Sequence, residues 1–387
     1  NRADCGVGKF DRNFQFDICI CNNISLFLNK EIFLRHIMTS IKLGTHNGSF
    51  HCDEILALAM LRKLPEYQNA ELIRSRDPNL LASCDVVFDV GGEFDSSRHR
   101  YDHHQPSFNM TIQDFHPSLK PAVKLSSAGL IYAHFGKRVI ASIINEHSIE
   151  SDIVNTLFTQ VYKSFVAEVD AIDNGIAISS VPPNYTIDTD LSSRVGRHNP
   201  TWNMPDEDEN ECFMRAFEMV DGEFVEYVKS MAMSWYPARD IVKQAITARF
   251  SVHPSGYIMR ITGPSCPWKA HFFDLEKTLV PGFADTSRQE VGRSDFRNRP
   301  VFMITERKTP NGTEYNVLTI SCGQDQPFTR RVSLSAAFAG KRGEELSKLV
   351  GIDGAVFVHV NLFIGIHKTF EGALQMAVKS LEEAKYL

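Results

Sequence analysis

From residue 41 onward the chain alternates short β-branched apolar runs with longer segments whose apolar residues recur every three or four positions. The run Ile41–Leu43 predicts a strand, followed by a Gly/His/Asn/Ser turn and an apolar helix from about Glu54 to Leu64 that Pro65 closes. Ala70–Ile73 and Val86–Val90 repeat the strand pattern, the second ended by Gly91-Gly92. Ser126-Ser127 opens a helix through Phe135 that the pattern stops at Gly136. Over Asp152–Val169 the residues Leu157, Val161, Phe165 and Val169 form an i, i+4 stripe that lays a helix on a core, with Asp170 and Asp173 at its end. Strands alternating with helices predict an α/β domain around a mostly parallel sheet.

Pro182-Pro183-Asn184 and Asn199-Pro200 mark loops, and the acidic run Asp206–Glu211 reads as a solvated face. Cys212–Phe250 reads as predominantly helical. Beyond it, Arg260–Thr262, Val301–Thr305, Val317–Ser321 and Ala355–Val360 read as strands and Gly372–Lys385 as a closing helix. The expected organisation is an α/β domain over 41–205, a helical bridge over 206–250 and a smaller α+β domain over 251–387. Residues 1–40 carry no regular period, and the first Met is Met38. As a targeting peptide this leader is poor, because Asp4, Asp11, Asp17 and Glu31 interrupt its basic residues, so it reads as a fragment or a translation artefact and stays outside the fold.

Composition narrows the class. With 387 residues, 43% hydrophobic and 23% charged, the chain is neither disordered, collagenous nor a coiled coil, and about one domain per 150 residues gives two or three units. No stretch reaches the ~18 uncharged apolar residues of a membrane helix. Eight scattered cysteines without a Cys-x-x-Cys argue against a zinc ribbon or disulfide scaffold and for a reducing compartment. Charge is uneven: residues 1–240 carry 22 Lys/Arg against 33 Asp/Glu, while 241–387 carry 19 against 14. The acidic part suits divalent cations and the basic part a polyanion.

The candidate chemistry lies at strand ends. His46-Asn47-Gly48-Ser49-Phe50-His51-Cys52-Asp53 follows the first strand, Asp89 ends another, and Asp102-His103-His104 follows a further turn. In α/β sheets the crevice outside the carboxyl ends of the strands takes the ligand. Singly, Asp89 reads as a loop cap and His46 as a turn residue. Jointly, carboxylates this close repel unless a cation compensates them. Oxygen ligands mixed with imidazole suit manganese, magnesium or iron, and a pair of such ions about 4 Å apart activates water and neutralises a phosphoryl group.

The order of His loop, strand-end Asp, literal Asp-His-His and later Asp-x-Gly resembles the DHH phosphoesterase superfamily. Within it, Gly44–Glu54, Asp89–Glu93, Arg98–Gln105, Lys124–Tyr132 and Glu168–Gly175 closely resemble the melanocyte proliferating gene family, a likeness spanning about residue 41 to the end. The resemblance implies two ions, manganese or magnesium. His46 and Asp53 would hold one, with His51 standing where relatives have an Asp, a departure that leaves open which residue binds which ion. Asp89 would bridge both, Asp102 and His103 would serve the second, and His104 would support them from behind or act directly. Asp89, His103 and His104 are the implied catalytic groups. For the last motif Asp173, in Asp173-Asn174-Gly175, is preferred over Asp170, one helical turn earlier. The helix-opening Ser126 and Ser127 and the loop residues Arg98 and Arg100 are candidates to touch phosphate, with capping and charge compensation as alternatives. Phe363–Thr369 resembles the superfamily's Gly-Gly-His substrate loop with Ile366 in place of the second Gly, so that Gly365, His367 and Lys368 are expected to meet substrate. Trp268 beside Lys269 would stack on a base or simply pack.

The resemblance implies a metal-dependent phosphodiesterase that shortens RNA from its 3′ end, residing in nucleus and mitochondrion. Its substrate would be RNA or an oligonucleotide, no membrane is involved, and a homo-oligomer is left open. The alternatives are a phosphatase for small substrates such as oligonucleotides, phosphoadenosine phosphate or pyrophosphate, and a non-catalytic nucleic-acid-binding scaffold. Zinc-deaminase and zincin signatures are absent from the sequence.

Overall fold

Lys42–Thr45 forms β1, an inner strand of the first sheet in this computed structural model, which describes residues 40–204, 206–280 and 296–387. The expectation for the leader therefore lies outside the described residues, Ser40 apart. β1 pairs in parallel with β2 (Glu71–Arg74) and β3 (Val86–Phe88), and β3 with β5 (Arg100–Tyr101). β4 (Phe94–Asp95) runs antiparallel on the edge, giving the order β2-β1-β3-β5-β4. Neither β4 nor β5 is legible as a strand, since two residues carry no period. The register sets Leu43 beside Leu72 and Val86, so the carboxyl ends of β1, β3 and β5 share an edge. The residues that follow them are His46, Asp89 and Asp102.

Helix α1 (Cys52–Leu61) is buried along all ten residues, charged Asp53 and Glu54 included. Its first turn closes when the His51 amide donates to both Glu54 carboxylate oxygens, each at 2.9 Å. Helix α2 (Ser127–Ile144) runs nine residues beyond the predicted stop and ends at Asn145, whose φ of 56° is the left-handed cap. Gly136 is a packing position instead: a Cβ there would meet the Phe158 ring at 2.8 Å. After α3 (Asp152–Val161) the backbone makes a π turn over Tyr162–Val166 before α4 (Ala167–Asp173). The extra residue moves the buried stripe from the expected Phe165, half-buried, to Tyr162 and Val166.

The chain divides into two units between Val225 and Glu226. That boundary falls inside the helix Glu209–Ser230, so the expected bridge is shared between the units rather than standing apart. In the second unit β6 (Ile258–Ile261), β7 (Phe302–Thr309), β8 (Gly312–Thr319), β9 (Ala355–Val358) and β10 (Ile364–His367) form a sheet of order β6-β7-β8-β10-β9. Only the β6–β7 pairing is parallel. One core packs Ile258, Phe302, Val317, Leu346 and Met376, and a second Val242, Met259, Trp268 and Phe272. The molecule is therefore α/β with a mostly parallel first sheet and a mixed, mainly antiparallel second one. Among the described residues five cysteines are present, all unpaired, and no helix is long and apolar enough to cross a membrane.

Candidate metal centre

The loop after β1 is held from three directions. The Gly48 amide donates to Glu209 Oε1 at 2.7 Å, Arg74 donates to the Gly48 carbonyl at 2.8 Å, and the Asn199 amide group clamps both backbone atoms of Phe50. Glu209 belongs to the acidic run read as a solvated face, so one of its members is a loop anchor. At the end of β3, Asp89 takes a left-handed backbone (φ 59°) while its amide still donates to the Tyr101 carbonyl. A non-glycine residue in this region is strained by about 1–2 kcal/mol. The strain turns the carboxylate inward, where it is 3% exposed.

Asp89 joins two halves of the site. Its Oδ2 lies 3.1 Å from His46 Nε2, and its Oδ1 lies 3.3 Å from His103 Nε2. His46 Nε2 is also 3.2 Å from Glu54 Oε1, while His103 Nε2 is 3.3 Å from Asp173 Oδ2 and 3.8 Å from Asp53 Oδ2. Four overlapping groups offer ligand atoms within 4.8 Å of one another: His46/His51/Glu54, Asp53/Glu54/Asp89, His51/Asp53/Asp173 and Asp89/His103/His104. Asp53, Asp173 and the three histidines 51, 103 and 104 also line a cavity of about 490 Å³.

The electrostatics follow from crowding. Burial pushes the Asp53 carboxyl well up, and the charges of Asp89, Asp173 and Glu54 push it further. Burial likewise raises Glu54 and Asp173. Burial pulls His46 down, but hydrogen bonds to Asp89 and Glu54 outweigh it and hold the ring at about 10. For Asp89 burial is again the largest influence, overcome by His103 and His46, which hold the carboxyl below its ordinary range. Four acids thus share two buried imidazoles.

The donor set fits divalent cations. Asp53 Oδ1, Asp89 Oδ1 and both ring nitrogens of His103 are buried without a hydrogen-bond partner, although buried polar atoms are almost always satisfied. Carboxylate oxygens mixed with imidazole match manganese, magnesium or iron better than a thiolate metal. On the outer side, His46 Nδ1 lies 3.1 Å from the Asn47 carbonyl and 3.2 Å from Arg76 Nη2, while Nε2 is the nitrogen turned to Asp89 and Glu54.

Other predicted residues fall behind or away from this cluster. The Asp102 carboxylate accepts from the amides of Gly92, His103 and His104 and from His104 Nδ1 at 2.7 Å, which shapes the loop and orients His104. That hydrogen bond raises the His104 pKa, and its side chain is 60% exposed. Asp170 belongs to none of the four donor groups. Its Oδ1 accepts from the Ser126 amide and hydroxyl and from the Gly129 amide at 2.7–3.0 Å, so it caps α2, and Asp173 is the member of the pair at the cluster. Ser127 donates to Asp53 Oδ2 through its amide and hydroxyl. The first-turn donors of α2 expected to meet phosphate are therefore engaged by the protein's own carboxylates. Gly129 permits this, since a Cβ there would lie 2.4 Å from Asp170 oxygens.

Arg98 is exposed and paired with Glu93 and Asp95, and Arg100 donates to the carbonyls of Cys84, Arg98 and His99 near the opposite ends of the strands. Neither guanidinium points into the cavity lining. In the second unit Gly365 packs against Val358, Leu334 and Met376 within β10. The fully buried His367 ring accepts from the Thr369 amide at 3.0 Å and lies against Gly372 at the start of the closing helix, while Lys368 is exposed. Trp268 is 7% exposed and packs in a core. Glu54 is the group sequence reasoning missed. Its signal is position: it directly follows Asp53 in the same first helical turn.

A buried carboxylate–imidazole cluster beside a cavity, at the carboxyl ends of parallel strands, is the arrangement of a metal-dependent hydrolase. Residues 42–381 match the family model MYG1 exonuclease, described as "Uncharacterised protein family (UPF0160)", and the chain belongs to this MYG1 exonuclease family. It is 44% identical to the human MYG1 exonuclease over 91% of this chain and 88% of that protein. It is 41% identical to the MYG1 protein C27H6.8 of Caenorhabditis elegans, covering 89% of this chain and 96% of that one. Among solved structures, a pGpG-specific phosphodiesterase of Vibrio is similar over 90% of this chain and 97% of that one, at 10% identity and a TM-score of 0.25, too distant to bear on the chemistry.

Proposed function

We propose that this protein is a 3′-to-5′ exoribonuclease that uses two divalent cations, manganese or magnesium. The observation that carries the reading is the excess of buried carboxylate over buried cation around Asp89, beside a cavity lined by Asp53, Asp173 and His103 whose ~490 Å³ suits one nucleotide rather than a duplex. His46, Glu54 and Asp89 would hold one ion, and Asp53, Asp173, His103 and the other side of Asp89 the second, with His51 and His104 adjacent. When bound, the ions supply Lewis-acid chemistry, lowering the pKa of water and neutralising phosphoryl charge. The chain's own work is positional. Asp89 keeps the two halves in register, Ser127 fixes Asp53, and Asp102 holds the His104 proton at Nδ1 with the ring facing solvent. A protonated His104 donates to the leaving oxygen as the phosphodiester breaks. The same reading places the protein in nucleus and mitochondrion, by family likeness.

The test is a time course of 5′-labelled single-stranded RNA with manganese, with Asp89→Asn as the paired control. A ladder shortening from the 3′ end in the parent and absent in the variant is expected. Intact RNA in both, with manganese bound by the parent, overturns the reading and turns attention to small phosphate esters.

A further inference from the structure

Lys124 is the single Lys or Arg among the described residues that line the metal-centre cavity, whose wall otherwise carries Asp53, Asp173 and histidines 51, 103 and 104. In such company an ammonium ordinarily pairs with a carboxylate. Among the described residues no carboxylate oxygen lies within ion-pairing distance of its Nζ. The Nζ instead stands 5.9 Å from the centroid of Phe108, a buried ring that also packs against Phe94 and His103, with centroids 5.9 and 6.5 Å away. One aromatic ring therefore steadies both a candidate ligand and the ammonium.

The backbone of Lys124 is equally fixed. It bridges to Thr111, the following amide of Leu125 donates to the Met110 carbonyl, and its own carbonyl accepts from Asn174 Nδ2 at 3.1 Å. Asn174 directly follows Asp173, so the strand segment carrying Lys124 is tied to the helix end that carries a metal-site acid. A half-buried, pre-positioned ammonium with no internal partner is a point charge available to an anion entering the cavity.

We propose that Lys124 anchors a non-bridging oxygen of the substrate's phosphate in this cavity. This rests on the phosphoesterase reading and adds the residue that recognises the phosphate. Once cations balance the carboxylates, the Lys124 charge is the cavity's unmatched positive charge and complements a phosphoryl group.

The experiment uses the full chain loaded with manganese, comparing the parent with Lys124→Met and Lys124→Arg. Calorimetric titration measures manganese binding first, then inorganic phosphate binding to the loaded protein, beside RNA shortening. Expected are unchanged manganese affinity, phosphate binding about 10- to 100-fold weaker in Lys124→Met, and substantial recovery in Lys124→Arg, which keeps the charge. Equal phosphate affinity in parent and Lys124→Met overturns the proposal, as does parallel loss of manganese binding, which makes the residue a scaffold of the metal loop. If the parent leaves RNA intact but phosphate binding still drops in Lys124→Met, the anchor stands and the exoribonuclease reading falls.

Discussion

In the second unit the buried carboxylate of Glu276 is gripped by two guanidinium groups, Arg331 at 2.5 and 2.7 Å and Arg299 at 2.8 and 3.0 Å. In the first unit Asp53, Glu54, Asp89 and Asp173 crowd around His46 and His103 with several oxygen and nitrogen atoms left unpartnered. Both clusters are buried charge, yet burial acts on them differently. For Glu276 it is the largest influence and is overcome by the arginines, which hold the carboxyl below its ordinary range. For Asp53, Glu54 and Asp173 burial wins and the carboxyls rise. A charge that the fold means to keep is closed with the fold's own cations. A cluster left in carboxylate excess is completed from outside.

Substitution separates the two most sharply. Asp89→Asn removes the group shared by both halves of the site, and phosphodiester cleavage is expected to fall by about 10³-fold or more. Thermal unfolding in chelator should fall only modestly, because Asp89 is the acid that His46 and His103 hold ionised, and Asn tolerates the same left-handed backbone. Manganese at about 100 times its Kd should stabilise the parent by about 2.7 kcal/mol and the variant by much less. If Asp89→Asn unfolds the protein in chelator as severely as a core lesion does, the cluster is structural and the contrast fails.

Glu276→Gln is the mirror image. It leaves two buried arginines, one with its side chain wholly inside, without their carboxylate, and urea unfolding should show a loss of about 3–5 kcal/mol. Manganese affinity should not move. A loss below about 1 kcal/mol would remove the claim that the triad is closed by mutual need.

A smaller effect tests how the site is braced. Gly129→Ala sets a Cβ against the Asp170 carboxylate, and overpacking of this kind costs about 1–3 kcal/mol. Because Asp170 and Asp173 share α4, manganese binding should weaken alongside stability. Loss of stability with metal affinity intact would show that the α2 cap and the metal site are independent.

The site was legible where chemistry and strand ends coincide in sequence. His46, Asp53, Asp89, His103 and Asp173 converge because parallel strands deliver their carboxyl ends to one edge, a consequence of alternating strand and helix patterns. What escaped depended on tertiary neighbours. Gly136 has the form of a helix stop but faces Phe158, so packing overrides propensity. β10 was read as a ligand loop from a family likeness, whereas its alternation with β8 and β9 makes it a strand and buries His367. Glu209 lies in a run that looks solvated, and only the fold brings it to the Gly48 amide. Arg100 and Ser126 carry the right donors for phosphate, but the protein's own carbonyls and carboxylates use them first.

The pH dependence carries the contrast to its finest grain. Burial pushes Asp170 up to about 7 despite its hydrogen bonds from Ser126 and Gly129. Below about pH 4 both folded and unfolded chains hold this proton; between about 4 and 7 only the folded chain does, so its contribution falls as pH rises, by at most about 1.4 kcal/mol per pH unit. Asp53, Glu54 and Asp173 share that sign, while Glu276, held low, contributes stability that is lost as pH falls through the acid range. Urea unfolding in chelator at pH 5, 6 and 7 should therefore show the parent weakening with pH and Asp170→Asn weakening less, since the amide oxygen keeps the same three donors. Manganese should cancel the share due to Asp53, Glu54 and Asp173 and leave that of Asp170, whose accepting oxygen is turned to α2 and not to the cluster. Identical slopes for parent and Asp170→Asn would mean that Asp170 is ionised in the folded protein, and that the helix donors alone compensate it as the arginines do Glu276.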